Sequence, residues 1–307
     1  MFRRISMADF EGILPAIITP MGEDGRLDEA AFREVMEYNI QAGVHGFWIA
    51  GGTGESVLLD DEENMKIAEI SADQNRGRVN NIMHVGAATT ERAAALAEHA
   101  AKMGNEAICC VPPFFYRQSD DAIVEHYRVV AAAADLPLFV YNLPQSTGVE
   151  ITPELMQKIQ DRVPQLKGLK HSAITFVNVR AFAKMGLDCL IGNSMLMLPA
   201  MTIGATGCVD GPPNYAPELW VDIWNAYQDG DWERAEAAQD RASDATLLAR
   251  EYGLHPTAKF ILSERLGIDC GSPRPPGLPL TAPQQADVLA RMSQIGIGKL
   301  AVAQGDD

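Results

Sequence analysis

Lys170 ends the apolar run Leu166-Lys-Gly-Leu-Lys170 and is followed by His171 and Ser172. Burying an ammonium among apolar neighbours is costly unless it is paired or gives up its proton. Desolvation favours the neutral amine, and a neutral amine attacks carbonyl carbons. Of the eight lysines, Lys66, Lys102, Lys158 and Lys184 fall in helix-like stretches, Lys259 in a C-terminal helical part and Lys299 in the tail. Lys167 opens the run that Lys170 closes, so these two belong to opposite ends of one strand. Position leaves Lys170 two roles: an imine-forming nucleophile, or the partner of a carboxylate in a satisfied core.

Other residues gather at the ends of similar runs. Gly51-Gly-Thr-Gly-Glu55 follows Gly46-Phe-Trp-Ile-Ala50. Glycines let backbone N–H groups turn toward an anion, and Thr53 adds a hydroxyl, so this turn suits a carboxylate. An ordinary tight βα turn has the same composition. Glu55 reads as a structural cap or a member of a polar network. Tyr141 ends Leu138-Phe-Val-Tyr141, one strand before Lys170. There a phenol serves either as a proton carrier for a substrate oxygen or as packing. Phe114-Phe-Tyr116 fits core, pocket wall or subunit contact. Asn193 and Asp210 follow two further runs. Asp210 fits a substrate hydroxyl or amine, or the cap of the next helix, with the cap preferred. The six histidines show no metal-ligand spacing, and His171 points to the strand face opposite Lys170. No metal site and no cofactor is expected, and neither Gly-x-Ser-x-Gly nor a P-loop is present.

These groups require a frame that collects strand ends on one side. Eight β-rich runs provide it: Gly12 to Pro20, Gly46 to Ala50, Asn81 to Val85, Ala107 to Val111, Leu138 to Tyr141, Leu166 to Lys170, Asp188 to Gly192 and Ala205 to Val209. Amphipathic stretches alternate with them, and Asp28, Asp60, Thr89 and Thr152 with Pro153 are good N-caps. Strict alternation implies a parallel sheet, and eight units fit a (β/α)8 TIM barrel, an α/β fold. After residue 209 only helices are expected. The barrel is assigned to residues 1–229 and a C-terminal helical extension packed on it to 230–307, with 271–279 as a stiff surface linker and 299–307 as a frayed tail.

The chain of 307 residues is 47 % apolar and 21 % charged, with a net charge of −16. So acidic a chain argues against nucleic acid or an anionic membrane as main partner, while a local pocket can still take a small anion. No run is long enough to span a bilayer, and Met1 to Asp9 lacks the apolar stretch of a secretory signal. The five cysteines read as buried, reduced thiols of a cytoplasmic protein.

Several motifs together resemble the family of dihydrodipicolinate synthase and N-acetylneuraminate lyase. They are Gly12 to Pro20, Gly51-Gly-Thr-Gly-Glu-Ser56, Val111-Pro-Pro-Phe-Phe-Tyr116, Tyr141-Asn-Leu-Pro144 with Thr147-Gly148, and Gly168-Leu-Lys170. The resemblance implies class I chemistry: Lys170 forms an imine with the keto carbon of pyruvate or another 2-oxo acid, and Tyr141 shuttles protons. It puts Thr53 and the backbone of Gly52 at the substrate carboxylate. Around the rest of the substrate it puts Phe115, Tyr116, Ser146, Asn193, Val209 and Asp210. It also implies a homotetramer, a dimer of dimers.

The departures from the family pattern are specific. Ser146 stands where the synthase branch carries a carboxylate-gripping arginine. Gly192-Asn-Ser-Met-Leu196 replaces the Asp-Glu pair of sialate lyases. Gly52 replaces a hydroxyl residue, and Phe115 replaces the tyrosine that a neighbouring subunit lends. The reading closer to the lyase branch is reversible C–C cleavage of a 2-oxo-3-deoxy sugar acid. The alternatives are dehydration or deamination through the same imine, a non-catalytic ligand sensor, and an unrelated barrel with a structural Lys170.

Overall fold

The computed structural model describes residues 10–299. Its strands are β1 Gly12–Ile13, β2 Gly46–Ile49, β3 Asn80–His84, β4 Ala107–Cys110, β5 Leu138–Asn142, β6 Leu166–His171, β7 Asp188–Ile191 and β8 Gly207–Cys208. They form one parallel sheet in the order β1-β8-β7-β6-β5-β4-β3-β2. Between β1 and β2 the ring is joined by a bridge from Ala16 to Trp48 and by bonds from Ile17 N to Trp48 O (3.1 Å) and Trp48 N to Pro15 O (3.0 Å). The fold is the expected TIM barrel. β1 is shorter than its apolar run because Pro15 has no N–H to give. Leu14 N and Ala16 N still reach Cys208 O and Asp210 O at 2.9 Å and extend the pairing.

Apart from a single helical turn at Pro144–Thr147 after β5, one helix follows each strand: α1 Glu29–Gln41, α2 Asp61–Asn75, α3 Thr90–Met103, α4 Asp120–Ala134, α5 Pro153–Gln160, α6 Asn178–Lys184, α7 Met197–Thr202 and α8 Pro217–Asp229. The side chains of Asp28, Asp60, Thr89 and Thr152 each accept a backbone N–H of the first turn, which is what the N-cap pattern requires. Three more helices, α9 Trp232–Tyr252, α10 Leu254–Leu266 and α11 Ala282–Gln294, complete the chain. Their Leu248, Ile261 and Val288 belong to the same apolar cluster as Phe47 and Leu138 of the barrel.

Strand alternation sorts the core into two layers. Phe47, Ile49, Leu138, Val140 and Leu169 face the helices. Leu14, Trp48, Ile82, Cys109, Phe139, Tyr141, Leu190 and Val209 fill the barrel. Phe139 stacks edge-on against Phe10 at 5.1 Å and Trp48 edge-on against Tyr141 at 5.5 Å. The interior is therefore packed up to Trp48 and Tyr141, and a cavity opens above them.

The linker after α10 runs over the surface at Ser272 and at residues 275–279, as expected. Its first half also completes a buried ion pair. Ser272 O accepts Lys259 Nζ at 2.9 Å, and Arg274 N donates to Glu55 Oε2 at 2.7 Å. The cause is the ion pair of Lys259 with Glu55 (2.8 Å), in which both side chains are 1 % exposed. Groups so buried need their remaining protons and lone pairs satisfied, and the linker supplies both partners. All five cysteines are free and buried. No helix among the described residues is long and apolar enough to cross a membrane. Met1 to Asp9 and most of the expected tail, residues 300–307, lie outside the described residues.

Candidate active site

β5 and β6 are neighbours, and their register sets Tyr141 directly beside Lys170. Both side chains point into the barrel, 5 % and 3 % exposed. Lys170 Nζ lies 4.5 Å from the centre of the Tyr141 ring and 5.3 Å from that of Trp48. Among the described residues no carboxylate pairs with it. Lys167 and Lys259 are different: they bond Asp188 (3.0 Å) and Glu55 (2.8 Å). The structure thus shows Lys170 as a buried amine beside aromatic faces and not as half of an ion pair. His84 of β3 shares this layer, its ring 6.2 Å from that of Tyr141. Burial first, and the charge of Lys170 second, hold His84 down at about 4, so the imidazole is neutral at pH 7.

Above this layer is a cavity of about 600 Å³. Gly52, Thr53, Tyr141, Ser146, Lys170, Asn193 and Asp210 line it, as do Gln145, Ser172, Thr246, Arg250 and His255. A larger hollow of about 840 Å³ between the Met21 to Gly25 turn and the linker has neither Lys170 nor Tyr141 in its walls and so lacks the groups for this chemistry. The glycine turn is held from three sides. Thr19 Oγ1 donates to Gly54 O at 2.7 Å, and His255 Nε2 donates to Gly52 O at 2.9 Å. Glu55, in the left-handed region at φ +60°, is tied to Lys259. Gly52 itself faces the cavity, and a Cβ there would sit 3.7 Å from Tyr141 Oη.

Three expected site residues lie elsewhere. Val209 is fully buried in the inner layer below the cavity. Phe115 and Tyr116 are 87 % and 72 % exposed, stack edge-on at 5.0 Å, and wall a separate hollow with Arg117 and Thr147. A left-handed backbone at Phe115, φ +73°, turns this pair outward. The preferred role of Asp210 also needs correction. Helix α8 has no side-chain cap. Asp210 instead accepts Ser194 N and Gly211 N, both at 2.8 Å, and so caps the turn after β7.

The model of the dihydrodipicolinate synthetase family matches residues 9–295. The chain belongs to this family. It is a class I lyase of the dihydrodipicolinate synthetase type, working through a lysine imine. A 4-hydroxy-tetrahydrodipicolinate synthase of Phenylobacterium zucineum is 35 % identical over 295 residues, covering 94 % of this chain and 98 % of the relative. The crystal structure of Proteus mirabilis N-acetylneuraminate lyase is similar at TM-score 0.87 and 27 % identity, over 94 % of this chain and 99 % of that one. Dihydrodipicolinate synthase from Aquifex aeolicus is similar at TM-score 0.89 and 25 % identity, over 95 % of this chain and 100 % of that one.

In this member of the dihydrodipicolinate synthetase family, five polar side chains of the cavity wall are not among the expected site residues. Ser172 had a signal: it follows Lys170 by two, hence on the same face of the strand. Its buried Oγ has no hydrogen-bond partner among the described residues, and a Cβ at Gly192 would come within 1.8 Å of it, so only glycine fits there. Gln145 lies inside the Tyr141 to Gly148 motif, beside Ser146. Thr246, Arg250 and His255 come from α9 and α10, whose docking over the barrel mouth leaves no local pattern.

Proposed function

We propose that this chain reversibly cleaves the C3–C4 bond of a hydroxylated 2-oxo acid, of the 2-oxo-3-deoxy sugar acid kind, through an imine on Lys170. The observation that carries this reading is a buried lysine without a carboxylate partner, beside Tyr141, at the floor of a polar cavity. The amine of Lys170 adds to the keto carbon and water leaves. The protonated imine draws the electrons of the C3–C4 bond, while Tyr141 takes the proton of the C4 hydroxyl. An aldehyde departs, the enamine regains a proton from Tyr141, and water releases pyruvate. Thr53 and the Gly52 backbone hold the C1 carboxylate. The synthase name of the Phenylobacterium relative transfers poorly, because Ser146 brings no cation to that wall of the cavity.

Borohydride reduction in the presence of pyruvate, read by peptide mass spectrometry, tests the reading. The expected result is a pyruvate adduct on the Lys170 peptide. No adduct, or one on Lys259, sinks it. Product analysis with 2-oxo-3-deoxy acids then separates cleavage, which releases pyruvate, from dehydration or deamination, which does not. The assembly proposed is a cytoplasmic homotetramer, with the outward Phe115 and Tyr116 covered by another copy.

A further inference from the structure

Arg250 sits in the last turn of α9, and the cavity above Lys170 uses it as part of its wall. Lys170 and Arg250 are the two cationic side chains that line this cavity among the described residues, and Asp210 is the one carboxylate. Asp210 is already compensated, since its two oxygens each accept a backbone N–H at 2.8 Å. The guanidinium of Arg250 is not. One of its nitrogens donates to Asn193 Oδ1 at 3.1 Å, and no carboxylate pairs with it among the described residues. Arg234, Arg265, Arg274 and Arg291 on the same C-terminal part bond carboxylates; Arg241, like Arg250, has no such pair among the described residues, but it does not line this cavity. Favourable placement at a helix C-terminus explains a basic residue in that turn. It does not explain an exposed guanidinium that lines the cavity and is held there by Asn193, with no carboxylate partner among the described residues.

The geometry points to Arg250 as the residue that selects the substrate's far end. It accepts a 2-oxo acid bearing a second carboxylate at the end of the chain away from the keto carbon. This rests on the imine reading of Lys170, which fixes the near end of the substrate. A guanidinium offers a planar pair of N–H donors matched to one carboxylate. A phosphate dianion would call for more, and among the described residues no second cation besides Lys170 lines this cavity. Between the two ends, Ser146, Asn193 and Thr246 supply hydroxyl and amide groups for the middle of the chain.

Two probes of equal chain length isolate the second charge: 2-oxopentanoate, ending in methyl, and 2-oxoglutarate, ending in carboxylate. The concentration giving half-maximal borohydride-trapped adduct on Lys170 is measured for each. In the wild type 2-oxoglutarate is expected to half-saturate at a concentration about ten- to a hundredfold lower, the range for a charge-assisted hydrogen bond. Arg250→Ala brings the ratio of the two concentrations close to one, and Arg250→Lys leaves it in between. A wild-type ratio near one, or a ratio unchanged in Arg250→Ala, overturns the proposal. Pyruvate on the wild type tells the two failures apart. A pyruvate adduct with no preference between the probes removes Arg250 alone, whereas no adduct with any acid removes the imine reading and this proposal with it.

Discussion

Lys170 and Tyr141 make different contributions, and trapping separates them. Tyr141→Phe keeps the ring beside Lys170 and Trp48 and removes only the hydroxyl. The expected outcome is a pyruvate adduct that still forms, with turnover of a cleavable 2-oxo acid reduced by about 10²- to 10⁴-fold, the usual contribution of a placed proton carrier. Unchanged turnover would leave Tyr141 as packing. Gly52 gives a gain-of-function test. A Cβ there would stand 3.7 Å from Tyr141 Oη, an ordinary contact, so serine fits. Gly52→Ser is expected to lower the pyruvate concentration for half-maximal trapping by up to about tenfold, through one added hydroxyl donor to the carboxylate. No change, or weaker trapping, would mean that the carboxylate lies elsewhere. At this scale the sequence was legible where a strand end marks a position. Lys170, Tyr141 and Thr53 each close or follow an apolar run, and all three line the cavity. Asp210 was misread because its partner, Ser194 N, is set by the approach of β7 to β8 and not by its own neighbours.

The elements that shape the site come from both halves of the chain. The turn after β2 is clamped by α10, through Lys259 and His255, and by the linker, through Arg274. Burial lowers the ordinary value of Lys259, and the hydrogen bond and charge of Glu55 only partly oppose this. A lone carboxylate left there has no access to water. Lys259→Met is therefore expected to cost about 3–5 kcal/mol of unfolding free energy, measured by urea denaturation. The double variant Lys259→Met with Glu55→Gln should recover much of that loss, because no unpaired charge remains. A single variant within about 1 kcal/mol of wild type would show that water reaches the pair. The barrel helices are legible from their alternation with the strands, and α1, α2, α3 and α5 also from their caps. The docking of α10 on the barrel is not, because Glu55 and Lys259 lie 204 positions apart and no local signal joins them. The linker's second role is hidden for the same reason: a proline-rich stretch is stiff, but its stiffness does not say which buried pair it completes.

For the molecule as a whole, strand-helix alternation is enough to specify a barrel, because eight βα units have few other ways to bury both faces of every strand. The folded state then encloses several histidines. Burial holds both His84 and His126 down at about 4, against an ordinary value of 6.5. It also lowers His45 and His171. Unfolded, these rings take up protons below pH 6.5; folded, His84 and His126 do so only near pH 4. Within that window the unfolded chain binds more protons, so stability falls as pH falls. At pH 5 the loss is on the order of 2 kcal/mol for each of these two groups. Carboxylates held low by arginine partners, such as Glu37 at about 2, begin to contribute only below their ordinary value of 4.5. The net charge of −16 acts the other way, since protonation relieves self-repulsion, but salt near 0.15 M screens that term to about 8 Å. The unfolding free energy is therefore expected to be flat from pH 8 to 7 and to drop by roughly 4 kcal/mol on going to pH 5 in 0.15 M salt. His126 bonds Thr90 Oγ1 at 2.9 Å and does not line the Lys170 cavity, so His126→Gln isolates one titrating group. That variant should lose roughly half of the pH-dependent drop, whatever its stability at pH 7. Equal wild-type stability at pH 7 and pH 5, or a variant that falls as steeply, would place the acid sensitivity outside these buried rings.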